Sequence, residues 1–263
     1  MASPTLYTAL PAASSIPSRK LTVNAQSSSS SNDQVSSEDA PPSPNQPLLF
    51  PRRPIFVSYR SPRRSYIYGP ESTSPMYALR APRPIASHHH HTLYSGPTEA
   101  SAPLATVGRV GEHRRPLVRV YRPSSAHPGG TSVAMTSGRR GRRFRVSLDR
   151  DDGTVEQFEW RNSRGPEACS LCGGRGQQSL VAGWKLARMA EPATPRSGTA
   201  RRPVGYTSDG REVVAAGALV YGDRNPRFAF MGSGATGRFG ETFEIVTLMG
   251  FLELYYNAIS ASI

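Results

Sequence analysis

Several short stretches of this sequence pair residue types that can do chemistry. Gly232-Ser233-Gly234-Ala235-Thr236-Gly237 spaces its glycines like a phosphate cradle, in which backbone N–H groups meet an anion where a helix begins. A dinucleotide site also needs a second strand and an acidic residue about 20 residues on, beyond the helix. Glu253 falls near that distance but inside the same apolar run. Arg238 and Phe239 stand where a nucleotide-triphosphate loop needs Lys and Ser or Thr. The stretch therefore reads as a tight strand-to-helix junction whose glycines take positive φ. Ser233, Thr236 and Arg238 are kept as a candidate anion-binding set at the helix start.

Cys169-Ser170-Leu171-Cys172 has the spacing of half a zinc site, but the chain holds only 2 cysteines and tetrahedral zinc needs four ligands. With glycines on its C-terminal side, the pair reads as a loop between strands, not as a redox site at a helix N-terminus. His88–His91 reads as a low-complexity run. Asp149–Gly153 begins like a calcium loop, yet Gly153 falls where an oxygen ligand belongs. No metal and no cofactor is expected. The segment 142–263 has no His, so no Ser–His or Cys–His pair can form within it. Glu244 and Glu253 are unusual, because they sit in a strongly apolar run; they are expected to face an opening of the fold or to bind nearby arginines. No catalytic residue is assigned and enzymatic activity is not expected, although fold alone does not determine function.

The elements that would position these residues divide the chain. Of 263 residues, 24 are Pro and 24 Gly, and the net charge is +13. Residues 1–141 hold 19 of the prolines, all 6 histidines and a charge of +10; residues 142–263 hold both tryptophans and +3. The first part is expected to be a disordered Ser/Pro/Arg-rich region, with the Ser27–Ser31 run and the cluster Pro41–Pro47 as low-complexity tracts. The second is expected to be a small β-rich domain. Thirty of the 32 basic residues are Arg throughout the chain, a preference that reads as coding bias.

In the second part, Phe144, Val146 and Leu148 alternate with polar residues, as a half-buried strand does. Asp151-Asp152-Gly153 turns the chain into a partner carrying Phe158 and Trp160. Further strands are expected at Val181–Arg188, at Gly205–Thr207 with Arg211–Tyr221 around Ser208-Asp209-Gly210, and at Arg227–Met231. From about Gly240 to Ser260 there is no Pro, and apolar residues cover most of a helix circumference, which marks a buried helix. The fold class expected is α+β: an antiparallel β-sheet or partial barrel wrapped around a hydrophobic C-terminal helix. No stretch approaches the ~18 apolar residues of a membrane span.

Strands followed by one buried C-terminal helix, with the junction Phe230–Glu241, resemble the tubby C-terminal-like superfamily, which includes phospholipid scramblases and LURP-one-related proteins. The junction also resembles uncharacterised fungal members of that group. The resemblance spans residues 142–263 and implies a β-barrel closed around the helix. It further implies a non-enzymatic binding or scaffold domain, with an anionic lipid headgroup or a protein as partner; no family binding motif is matched. The alternative is nucleic-acid association through residues 1–141. There Ser61–Arg64 and Gly138–Arg145 would meet phosphates, and Tyr59, Tyr66, Tyr68 and Phe144 would stack on bases. Ser-Pro pairs at 3, 43, 61 and 74 are candidate phosphorylation sites. Met1–Ala25 lacks a secretory h-region. An intracellular location, cytoplasmic or nuclear, is expected; the Ser/Thr-rich, acid-poor start leaves organelle import open.

Overall fold

A computed structural model describes residues 49–51, 54–60, 65–69, 75–80, 91–110, 115–121, 130–137, 141–147, 154–173, 177–190, 205–222 and 225–260. Eight strands precede residue 141: β1 (Ile55–Arg60), β2 (Ser65–Gly69), β3 (Tyr77–Arg80), β4 (His91–Tyr94), β5 (Pro103–Val110), β6 (Arg115–Val120), β7 (Thr131–Ala134) and β8 (Thr136–Ser137). Then come β9 (Gly141–Ser147), β10 (Val155–Asn162), the short helix α1 (Pro166–Cys169), β11 (Leu180–Arg188), β12 (Val213–Val220), β13 (Arg227–Phe230) and helix α2 (Gly240–Ser260).

These strands correct the expected boundary. A disordered region reaching residue 141 and a domain confined to 142–263 do not hold, because β1 to β8 are strands of the same sheet as β9 to β13. Each strand is too short and too polar to bury a core alone. Edge-to-edge pairing removes that requirement, since every strand lends one apolar face to a common core. Proline prevalence concealed this, because prolines in the gaps do not break the strands between them. The Ser27–Ser31 and Pro41–Pro47 tracts, Ser61–Arg64, His88–His90, Asp149–Gly153 and the serines of the four Ser-Pro pairs lie outside the described residues.

The sheet is antiparallel throughout, in the order β7-β6-β5-β4-β3-β2-β1-β13-β12-β11-β10-β9-β8. Two meanders, β1 to β7 and β8 to β13, meet where Ile55 pairs with Phe228 and Phe56 with Arg227. The two ends of the order are β7 and β8, consecutive in sequence and separated only by Met135. The hydrogen-bonded order has two ends, so no closed sheet is present among the described residues. Most strands expected after residue 141 are found with little displacement, including the β9–β10 hairpin, in which Phe158 faces Phe144; the one expected at Gly205–Thr207 is not, and there only an isolated bridge joins Tyr206 to Glu212 around the turn.

Helix α2 is buried on all sides from Thr242 to Glu253. It packs against β5 and β6 of one meander and β11 and β12 of the other. Its side chains Phe243, Ile245, Val246, Leu248, Met249, Phe251 and Leu252 join one hydrophobic core with residues of both meanders. Burying each large apolar side chain contributes roughly 1.5–3 kcal/mol. Gly250 lets the helix come close, since a Cβ there would lie 2.7 Å from Met135 and 3.0 Å from Trp160 Nε1. A second cluster, Ala168, Leu171, Cys172, Leu180, Ala216, Ala218, Val220 and Ala229, forms under α1. It covers a second face of β12, which explains why that strand is a near-continuous run of small apolar residues.

Candidate functional site

The glycine-rich junction folds as expected, with Gly232, Gly237 and Gly240 at φ of 49°, 78° and 77°. Gly232–Thr236 forms a 3-10 turn between β13 and α2. Its anion is internal. Ser233 donates its N–H to Glu212 Oε1 at 2.7 Å and its hydroxyl to Oε2 at 2.8 Å. Thr236 Oγ1 donates to the Ser233 carbonyl at 2.7 Å and accepts weakly from Arg238 N–H at 3.4 Å. The Arg238 guanidinium lies over the Phe239 ring, 5.3 Å from its centroid. The structure thus brings Ser233 and Thr236 into one turn and leaves Arg238 exposed beside it. An outside anion would have to displace the Glu212 carboxylate from Ser233.

Of the two buried glutamates, Glu253 meets the expectation of an arginine partner: Arg109 donates from Nη2 at 3.0 Å and from Nε at 3.3 Å. Asn257 Nδ2 donates to the same oxygen at 3.2 Å. His91 Nε2 lies 3.8 Å from Glu253 Oε2, and its ring stacks on Tyr256 with centroids 4.2 Å apart. A histidine therefore does belong to the folded region, contrary to the expectation that all six lie in disorder. Glu244 instead accepts backbone N–H groups, from Leu49 at 3.0 Å and Phe50 at 3.2 Å. Tyr77 Oη donates to the Leu49 carbonyl at 2.6 Å, and the Phe50 ring packs on Tyr77 and Phe230. Burial pushes the Glu244 carboxyl up to about 7, against the lowering effect of the two amides.

The arginines fall into two groups. On β10, fully buried Glu159 receives Arg143 Nε at 3.0 Å and Arg161 Nε at 2.9 Å. Arg161 grips Asp209 through two hydrogen bonds of 2.8 and 2.9 Å. Burial alone would raise Glu159, but the hydrogen bonds from Arg161 and Arg143 outweigh it and hold the carboxyl below its ordinary range. Arg188 pairs with Glu156. Arg115, Arg119 and Arg145, by contrast, are exposed and make no ion pair with a described residue. Arg115 and Arg119 lie on β6, and Arg145 on β9. Between them runs β7 with the small residues Ser132 and Ala134. Sequence reasoning missed this face. The signal was present in Arg115-Pro-Leu-Val-Arg119-Val120, where arginines fall on every fourth position of an alternating strand.

The cysteines lie on α1 and the 3-10 turn Ser170–Cys172, not in an open loop. Cys172 is buried and Cys169 half-buried, and burial pushes the Cys169 thiol up, which disfavours the thiolate. An open depression of about 350 Å³ beside Asn162–Arg164 and Val181–Trp184 carries a single charged group, Arg164. Among the described residues no three His, Cys, Asp or Glu side chains cluster to hold a metal ion. No described helix is long and apolar enough to cross a membrane. Compared with protein-family models, curated proteins and solved structures, the chain matches none of them.

Proposed function

We propose that this chain is a non-enzymatic binding domain of the tubby C-terminal-like plan, a barrel closed around α2, that takes an anionic ligand on its outer surface. The ligand is a lipid headgroup or an acidic part of a protein partner. The plan is supported by the consecutive placement of β7 and β8 at the two ends of the sheet order. It is supported too by a helix buried on all sides between strands of both meanders.

The observation that carries the ligand class is the contrast between arginines. Arg109, Arg143, Arg161 and Arg188 are consumed by Glu253, Glu159, Asp209 and Glu156. Arg115, Arg119 and Arg145 share one face without such partners among the described residues. Guanidinium groups held on strands suit bidentate contact with phosphate or carboxylate.

Vesicle flotation of the full chain tests this. Vesicles containing phosphatidylserine or phosphoinositides are expected to float the protein at low salt and release it as salt rises. Each of Arg115→Glu, Arg119→Glu and Arg145→Glu should weaken that binding by roughly fivefold or more. If reversing all three leaves binding to vesicles and to acidic polypeptides unchanged, the face is not the site.

A further inference from the structure

On the outer face of the sheet, β6, β7 and β9 run side by side. In β6, Val118 and Val120 point into the core, so Arg115, Leu117 and Arg119 stand outward. The same alternation turns Ser132 and Ala134 outward about the core residue Val133, and Arg145 outward between Phe144 and Val146. Ladder pairing sets Arg119 across from Ser132 and Leu117 across from Ala134. β9 lies beside β7, and continuing the β8–β9 register by two residues sets Arg145 opposite Ala134. Arg145 is therefore level with Leu117, midway between Arg115 and Arg119. At roughly 3.3 Å per residue the two β6 arginines stand about 13 Å apart, and two strand spacings put Arg145 about 12 Å from each. The three positions form a nearly equilateral triangle, with Leu117 and Ala134 on its floor.

A triangle of that size has every corner about 7 Å from its centre, so three extended Arg side chains can meet over one point. The half-buried Leu117 and the small Ala134 leave the space above the floor open. Arg143, two residues before Arg145 on the same face, adds no free charge, because Glu159 holds it. Three guanidiniums at one point select a particular anion. A carboxylate has two oxygens and a single charge, and one bidentate arginine satisfies it. A phosphate monoester has three terminal oxygens, one for each arginine, and a charge of about −1.5 to −2 at neutral pH.

We infer that this triangle grips one phosphorylated serine or threonine of a partner protein. This rests on reading the Arg115, Arg119 and Arg145 face as an anion-binding surface, and it narrows the ligand of that face. Val155 favours a peptide over a phosphate-bearing membrane. It is 58% exposed, pairs with Ser147 and shares the outer face with Arg145. A valine is shorter than an arginine. With headgroups held at the arginine tips, Val155 stays on the protein side of the phosphates and cannot reach the hydrocarbon beyond them. A peptide can lay an apolar side chain back onto it. Val155 stands about 13 Å from the centre of the triangle, the span of about four extended residues. The segment recognised therefore carries its phosphate about four positions from an aliphatic residue.

The test is a fluorescence-anisotropy titration of the full chain with a capped peptide of Ala and Gly that carries one phosphoserine and, four positions on, one Leu. The phosphopeptide is expected to bind about tenfold or more tightly than its Ser and single-Glu counterparts. It should also bind more tightly than a version with three adjacent glutamates, which has more charge but no single point of it. Arg115→Lys, Arg119→Lys and Arg145→Lys keep the charge and lose the fork. Each should weaken phosphopeptide binding by about three- to tenfold without moving the midpoint of urea unfolding. Val155→Ser should cost about threefold with the Leu peptide and nothing when that Leu is replaced by Gly. If the three-glutamate peptide binds as well as the phosphopeptide, the face takes acidic segments in general, and the inference falls while the surface reading stands. If the phosphopeptide binds the three Lys variants as it binds the parent, its phosphate sits elsewhere and the triangle is wrong. If vesicles of a phosphate monoester lipid bind and the phosphopeptide does not, the occupant is a membrane and the inference falls. If neither binds, the underlying anion-site reading falls with it.

Discussion

Helix α2 buries one glutamate toward each of its ends, and the two are accommodated by different means. Glu253 keeps its charge company with Arg109, Asn257 and the nearby His91 ring. Glu244 has the backbone of Leu49 and Phe50, with Glu241 as a like-charged neighbour on its own helix and Tyr77 from β3 close by. Two amides do not fully offset desolvation, so the second site becomes a proton-binding group. One helix therefore carries one clamp closed by an ion pair and one closed by backbone amides, each fastening it to a different part of the first meander or the residues before it.

The largest effect expected from breaking this contrast is at the ion-paired clamp. Arg109→Ala leaves Glu253 buried without its main partner and should cost about 3 kcal/mol in urea unfolding at neutral pH. A loss below about 0.5 kcal/mol would mean that His91 and Asn257 suffice.

The titrating clamp comes next. Its folded pKa of about 7 lies above the ordinary 4.5, so the neutral form is the one the fold favours. The stability it contributes is fully present below about pH 4.5 and is lost as pH rises through about 7, by roughly 3 kcal/mol. Glu244→Gln should remove that slope from the stability-against-pH curve and leave the variant more stable than the parent at pH 8. A parallel curve for the two proteins would show that Glu244 does not titrate in this range.

Smaller again is Tyr77→Phe, which removes the hydrogen bond to the Leu49 carbonyl but keeps the ring against Phe50. About 1 kcal/mol is expected in thermal unfolding, with faster amide exchange at Phe50. Ser233→Ala extends the series to Glu212, a half-exposed carboxylate. It keeps the N–H bond and loses the hydroxyl bond, so well under 1 kcal/mol should be lost.

How much of this was legible in the sequence follows from how far apart in the chain the partners stand. β9 to β13 and α2 could be read because their alternation and all-round apolarity are local properties. The junction glycines were read correctly for the same reason. The first meander was not legible. Its strands are as short as four residues, separated by proline-bearing gaps, and they become strands through pairing with neighbours whose identity no local window contains. Nor could the partners of Ser233, Glu244 and Glu253 be read. Glu212 is 21 positions from Ser233, Arg109 is 144 from Glu253, and Leu49 is 195 from Glu244. Treating residues 1–141 as one compositional block hid Arg109 and His91 from the search for partners, and Arg115 and Arg119 from the search for a surface.

The order of the sheet has a kinetic consequence. Within each meander every ladder joins successive strands, so those pairings close short loops and form early at little entropic expense. The exception is β1 with β13, which brings Ile55 to Phe228 across most of the chain. Together with the docking of α2 between the meanders, that zipper is the slow, high-contact-order step. Two half-sheets formed in advance would wait on it with apolar faces exposed, so the β1–β13 register is where a folding chain of this kind is most exposed to misassembly.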